Sequence, residues 1–181
     1  MPESFWTLRG RCLKLGHDVP HANGIVPLRL ITGRETDPAK ITPYLFEQIA
    51  PRFASECKPG DIVVAGRRFG MGPKVPGYIG MRALGLGLVC ESMPVQAYRG
   101  AIGEGLRVLS PCPGILDECE TGDLLEVDFS TGRFTNETRG TTRTFAPLPP
   151  ELQELVLHGG TAGWLVQWAK TNQPAQSPHT A

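Results

Sequence analysis

Between residues 62 and 109 short apolar runs alternate with helix-length segments, and this alternation limits the fold more than any other feature of the chain. Ile62–Ala65 is a β-branched run of the kind that fills a buried strand. A glycine-rich loop follows over residues 66–74, then a short helix to Leu84 and a strand over 86–90. A second short helix over 95–102 leads into a strand over 106–109. Strand–helix–strand alternation builds an α/β layer with parallel strand pairs.

The flanking segments extend this layer. Residues 5–15 read as a first strand, and the loop 16–24 after it holds His17, Asp18, His21 and Asn23. A short apolar stretch over 25–30 precedes a polar loop over 32–40. Ile41, Leu45, Ile49 and Phe53 recur every four residues and predict a helix over 41–53, with Thr42-Pro43 at its cap and first turn. The last third changes character. Residues 124–129 alternate as a strand, Ser130-Thr131-Gly132 is a hairpin turn, and 133–138 and 141–145 read as further strands. Pro149-Pro150-Glu151 opens a helix that Gly159-Gly160 breaks. Thr161 then caps a final helix to Lys170, expected to dock through Leu165, Val166 and Ala169. The fold class is therefore α/β: a mixed sheet with flanking helices and a β-hairpin extension. One domain is expected over residues 1–170, and 171–181, polar and without apolar periodicity, read as a disordered tail.

Charge and cysteine usage exclude several function classes. Lys+Arg and Asp+Glu both total 18, so the chain lacks the broad basic footprint of a nucleic-acid or anionic-membrane binder. No apolar run reaches bilayer length, and residues 1–11 lack the apolar stretch of a signal peptide, so the cytoplasm is the expected compartment. The five cysteines, at 12, 57, 90, 112 and 119, include no C-x-x-C pair. They read as reduced thiols, with no metal site built by this chain alone. The 22 glycines and 17 prolines are spread along the chain and mark tight turns.

Four segments, in order, resemble the small subunit of 3-isopropylmalate dehydratase, equivalent to the swivel domain of aconitase. Lys58 to Gly72, Lys-Pro-Gly-Asp-Ile-Val-Val-Ala-Gly-Arg-Arg-Phe-Gly-Met-Gly, is similar to the family's strand and glycine loop, which usually ends Gly-Cys-Gly-Ser-Ser-Arg-Glu-His. Ala83 to Ser92 resembles the next helix end and strand. Tyr98-Arg99-Gly100-Ala101-Ile102-Gly103-Glu104-Gly105-Leu106 resembles the family's Tyr-Arg-Asn-Ala-Ile-Asn-x-Gly-Leu. Gly122 to Pro149 is similar to the closing hairpin. The resemblance covers about residues 9–170 and implies a swivelling domain that closes over a large subunit carrying a 4Fe–4S cluster. The implied reaction removes water from a 2-hydroxy di- or tricarboxylic acid and adds it back. In the family the small chain supplies a serine base and an arginine from Ser-Ser-Arg. Here the loop runs on as Pro73-Lys74-Val75-Pro76-Gly77-Tyr78, without them.

The candidate site follows from that loop. Gly70, Met71, Gly72 and Pro73 would present backbone to an anionic substrate, with Lys74 and Arg68 adding charge. Lys74 is a candidate catalytic residue, though substrate carboxylates would keep it protonated and favour an anchoring role. Arg67 and Arg68 either face a partner chain or are solvated. His21 is the alternative acid/base by intrinsic pKa, against a plain exposed loop histidine. Arg29 matches the family's Pro-x-Arg-Tyr arginine and is a candidate carboxylate ligand, against a surface or interface salt bridge. Tyr98 and Arg99 are expected to pack and position the glycine loop. Two further readings stand beside the hydro-lyase subunit: a catalytically degenerate scaffold or regulatory subunit, and a stand-alone anion-binding module.

Overall fold

A computed structural model describes residues 3–72 and 76–172 of the chain. Seven strands form one mixed sheet in the order β4-β3-β2-β1-β5-β6-β7. Four of them, β1 (Thr7–Lys14), β2 (Ile62–Ala65), β3 (Gly87–Cys90) and β4 (Arg107–Leu109), run parallel. β5 (Leu124–Asp128) pairs antiparallel with the other edge of β1 and leads into the hairpin of β6 (Arg133–Asn136) and β7 (Thr141–Thr144). β1 therefore joins the parallel layer to the hairpin extension.

Alternation along the strands divides the core between the two faces of the sheet. Leu13, Val63, Ala65, Leu88, Cys90 and Val108 point to one face. Helix α5 (Pro76–Ala83) covers it through Tyr78, Ile79 and Met81. Cys12, Ile62, Val64, Val89, Leu109 and Leu125 point to the other face. There they meet Ile115 of a 3-10 turn, Ile115–Glu118, and Val156 of helix α7 (Pro150–Leu157). Helix α6 (Val95–Gly103) lends Ala97 and Ala101 to the first cluster and Ile102 to the second.

The remaining helices in chain order are α1 (Glu3–Trp6), α2 (Leu28–Thr32), α3 (Pro38–Ile41), α4 (Phe53–Glu56), α7 (Pro150–Leu157) and α8 (Thr161–Thr171). The first strand begins at Thr7 because α1 occupies the residues before it.

Two expectations are corrected here. Residues 41–53 do not form one helix. α3 ends at Ile41, a 3-10 turn spans Thr42–Tyr44, and Phe46 takes φ 58°. The Phe46 N–H goes to the Ile25 carbonyl instead of one four residues back, and this carries the ring into the core. Burying a phenylalanine outweighs continuing the helix, and Ile49 is left 45 % exposed. Nor does α8 dock through its apolar side chains: Leu165, Val166 and Trp168 are 50, 55 and 54 % exposed. The helix instead approaches its neighbours through glycine. A Cβ at Gly160 would lie 2.1 Å from the Gly103 carbonyl, and one at Gly163 would lie 1.8 Å from the His158 carbonyl. Gly160, not Thr161, is the cap residue, and no side chain caps the helix. Thr171 closes α8, and residues 173–181 of the expected tail lie outside the described residues.

Asp61, at the entry to β2, fastens that strand to its surroundings. Its carboxylate accepts the Arg11 N–H at 2.7 Å and the Lys58 N–H at 2.8 Å, and the residue is buried. Asp61→Ala strands both donors and should cost about 2 kcal/mol in urea unfolding. Asp61→Asn, which keeps one acceptor oxygen, should cost less.

Candidate functional site

β1 and β2 are parallel neighbours, so the loops leaving their carboxyl ends lie side by side. That edge of an open α/β sheet is where ligands bind. The two loops are laced together. The Gly66 N–H donates to the Gly16 carbonyl at 3.1 Å, the Asp18 N–H to the Arg67 carbonyl at 2.8 Å, and the Gly70 N–H to the Val19 carbonyl at 2.8 Å. The His21 N–H returns to the Met71 carbonyl at 2.8 Å. The His17 ring joins in, its Nδ1 accepting the Arg67 N–H at 2.9 Å. Gly66 makes room for this, since a Cβ there would lie 2.2 Å from that nitrogen.

The segment after β3 holds the glycine loop from its other side. The Arg68 N–H donates to the Ser92 hydroxyl and the Phe69 N–H to the Ser92 carbonyl, both at 3.0 Å. Every N–H from Gly66 to Gly70 is thus committed within the protein. The expectation that Gly70 offers its N–H to an anion is corrected accordingly. Met71 is itself bridged to Pro20 across the two loops, and next comes the exposed Gly72, where φ is 103° and no described atom approaches a Cβ position within 4 Å.

Arg68 and Asp18 are both non-glycine residues in the left-handed region, at φ 57° and 59°. Such backbone costs on the order of 1 kcal/mol or more and persists where surroundings enforce it. Here each side chain binds the other across the two loops, through Arg68 Nε and Nη2 and one Asp18 carboxylate oxygen. The guanidinium holds the Asp18 carboxyl below the usual carboxylate range. Arg68 is therefore a latch between loops whose charge is already answered. Arg67 and His17 both stand near Glu91, at 4.0 and 3.8 Å.

His21 lies behind the loop wall. It is 1 % exposed, which corrects the exposed-loop reading and encloses the ring that the sequence offers as an acid/base. Its Nε2 accepts the Gly77 N–H at 3.1 Å, satisfying one of the free donors in the first turn of α5. The ring packs edge-on against Tyr78 at 4.9 Å between centroids. Burial drives its pKa down to about 4. With Nε2 accepting, the proton of the neutral ring sits on Nδ1. The Tyr78 hydroxyl, like His21 Nδ1 buried and without a partner among the described residues, abuts Gly70: a Cβ there would lie 2.2 Å from it.

The other candidates are placed elsewhere or not described. Arg29, on α2, lies over the Tyr44 ring at 4.4 Å and 3.9 Å from Glu47. Its contacts are therefore with the 42–47 segment, as the salt-bridge alternative anticipates. Pro73 and Lys74 lie outside the described residues. On α6 it is Ala97 that stands against Gly70, with its Cβ 3.3 Å from a Cβ placed there. Arg99 instead lines a groove of about 490 Å³ with Gln96, Ile102, Leu152, Leu155 and Thr161, which corrects its expected role under the loop. Sequence reasoning missed Ser92, Tyr78 and Glu91 as supports. No local pattern marks them, since each acts on residues distant in the chain.

Fold and site together define a class: an α/β domain with a β-hairpin extension that carries one braced glycine loop at the carboxyl ends of its parallel strands. No protein-family model matches the chain. Over 165 residues it is 32 % identical to the 3-isopropylmalate dehydratase small subunit of Thermodesulfovibrio yellowstonii, covering 90 % of this chain and 94 % of that one. It is 36 % identical to 3-isopropylmalate dehydratase small subunit 1 of Archaeoglobus fulgidus, covering 90 and 96 %. The isopropylmalate/citramalate isomerase small subunit of Methanocaldococcus jannaschii is 32 % identical, covering 87 and 93 %. A crystal structure of 3-isopropylmalate dehydratase from Methanocaldococcus jannaschii superposes with TM-score 0.81 at 26 % identity, covering 91 % of this chain and 96 % of that one. The chain belongs to the family of 3-isopropylmalate dehydratase small subunits.

Proposed function

We propose that this chain is the small subunit of an aconitase-type hydro-lyase, closing over a large subunit that carries a 4Fe–4S cluster. Together they would bind a 2-hydroxy di- or tricarboxylic acid for dehydration and rehydration. The observation that carries this reading is the glycine loop. It is braced on two sides up to Met71 and exposed at Gly72, in a chain that matches small subunits over about nine-tenths of its length.

The donors among the described residues do not fit the cluster. Among the described residues no group of three or more His, Cys, Asp or Glu is placed to hold a metal ion. Four of the five thiols are buried. In this reading the cluster rests on the partner, and this chain's part is to bind and orient. The backbone from Met71 and Gly72 meets a substrate carboxylate, and Lys74 anchors it as a point charge in place of the family's arginine. Arg68 holds the two loops in register through Asp18, and His21 holds the first turn of α5. The missing Ser-Ser-Arg implies a substrate other than 3-isopropylmalate or a base supplied differently. The same substitutions, with Arg29 and Arg68 already paired to carboxylates, favour a second reading in which the chain is a scaffold subunit.

The test is to co-express the chain with a large subunit encoded beside it and assay the cluster-loaded complex across 2-hydroxy di- and tricarboxylic acids. Lys74→Ala should leave assembly intact and lower kcat/KM by about tenfold to hundredfold, the effect of one charge-assisted contact. An intact complex that turns over none of these acids sinks the hydro-lyase reading. Unchanged activity in Lys74→Ala, Arg68→Ala and Arg29→Ala alike favours the scaffold.

A further inference from the structure

Two cysteines 107 positions apart come together away from the glycine loop. Cys12 in β1 and Cys119, just after the 3-10 turn Ile115–Glu118, place their Sγ atoms 3.6 Å apart, Cys12 donating to Cys119. Among the described residues this is the one thiol–thiol hydrogen bond. Backbone on both sides fixes the approach. The Cys12 N–H donates to the Asp123 carbonyl at 2.8 Å, and the Gly122 N–H returns to the Cys12 carbonyl at 2.9 Å. The Lys14 N–H reaches the Thr121 hydroxyl at 3.0 Å. Segment 119–123 thus runs alongside the end of β1, and the two thiols meet across a hydrogen-bonded frame.

We propose that Cys12 and Cys119 form a modification site, a buried dithiol that a peroxide converts to an intramolecular disulfide in the folded chain. The sulfurs must close from 3.6 Å to a bond of about 2.05 Å, within reach of side-chain rotation when the backbone positions suit. Cys119 is the attacking sulfur. The hydrogen bond it accepts from Cys12 and the nearby Lys14 ammonium favour its thiolate, whereas Cys12, as donor, keeps its proton. The Cys119 thiolate attacks one peroxide oxygen, the O–O bond breaks, and hydroxide leaves to be protonated to water. The sulfur of Cys12 then attacks the resulting sulfenic acid, the S–O bond breaks, and a second water leaves as the disulfide forms. Two thiols are oxidised and one peroxide is reduced to two waters.

The bond would staple β1 to the turn that backs the glycine loop. Leu116, in that turn, would lie 2.9 Å from a Cβ at Gly66. Of the other thiols, Cys57 bonds the Ala54 carbonyl, and Cys90 and Cys112 are joined only through backbone.

To test this, the full chain is reduced, titrated with hydrogen peroxide under native conditions, alkylated and mapped by mass spectrometry. The expected result is loss of two thiols and a Cys12–Cys119 cross-linked peptide. The thermal midpoint should rise by several degrees, and dithiothreitol should reverse both changes. Cys12→Ser and Cys119→Ser should each abolish the cross-link, and mapping the unmutated chain decides the matter even where a variant folds poorly. Oxidation that stops at Cys57, sulfinic acid at Cys119 with Cys12 still alkylated, or a cross-link that appears only in urea would each overturn the proposal.

Discussion

Gly70→Ala is expected to lose about 3–4 kcal/mol of stability, while Gly72→Ala, two residues on, loses about 1 kcal/mol. Both glycines have positive φ, 79° and 103°, so alanine pays a backbone penalty at either position. They differ in what surrounds them. A Cβ at Gly72 meets no described atom within 4 Å, but one at Gly70 lies 2.2 Å from the Tyr78 hydroxyl and 3.3 Å from the Ala97 Cβ. Tyr78 is fully buried and packed edge-on against His21, and close-packed interiors leave a ring little room to shift. Among the described residues its hydroxyl has no hydrogen-bond partner, so Tyr78→Phe alone should be neutral or slightly stabilising. The double variant Gly70→Ala/Tyr78→Phe should then recover at least about 1 kcal/mol of the Gly70→Ala loss, a coupling expected only of residues in contact. Urea unfolding of the four proteins measures each term. Equal losses at positions 70 and 72 would refute the packing argument.

What the sequence disclosed depended on whether a feature is set locally. Ile62–Ala65 was legible to the residue because a β-branched run between a Pro-Gly turn and a glycine loop has few alternatives. The hairpin after Leu124 was legible from alternation and a Ser-Thr-Gly turn. The 41–53 segment misleads because a four-residue apolar repeat suits a chain of turns as well as a helix. Only the Ile25 carbonyl, distant in sequence, shows which one forms. The α8 face misleads in the opposite way: its apolar residues sit at helical spacing, yet glycine contacts place them outward.

At the candidate site the glycines were visible, but their hydrogen-bond partners were not. The Arg67–His17 and Arg68–Asp18 contacts each join residues 50 apart. Whether a loop N–H is free for a ligand therefore follows from the pairing of β1 with β2 and not from the glycine pattern. The family resemblance located the loop and the open edge of the sheet. It did not show that Arg68 is occupied by Asp18 or that His21 is enclosed.

The enclosure of His21 makes stability depend on pH in a defined window. Its folded pKa of about 4 lies below the ordinary 6.5, because burial penalises the charged ring. The unfolded chain therefore binds the proton first as pH falls. The stabilisation from the neutral ring is fully present above about pH 6.5 and is lost progressively down to about pH 4, by roughly 3 kcal/mol in total. Geometry gives the same sign. Protonating Nε2 would set its N–H against the Gly77 N–H it now accepts. Tyr78, the titratable neighbour in ring contact, has its own pKa pushed up by burial and stays neutral throughout. Unfolding free energies of the native chain between pH 7.5 and 4.5 should fall more steeply than those of His21→Gln, whose amide oxygen can accept from Gly77 without titrating. Carboxylates held low by partners, such as Asp18 and Glu137, are present in both proteins and cancel in the difference. Parallel curves for the two proteins would mean that His21 is solvated or charged in the folded chain, and the buried cap on α5 would have to be abandoned.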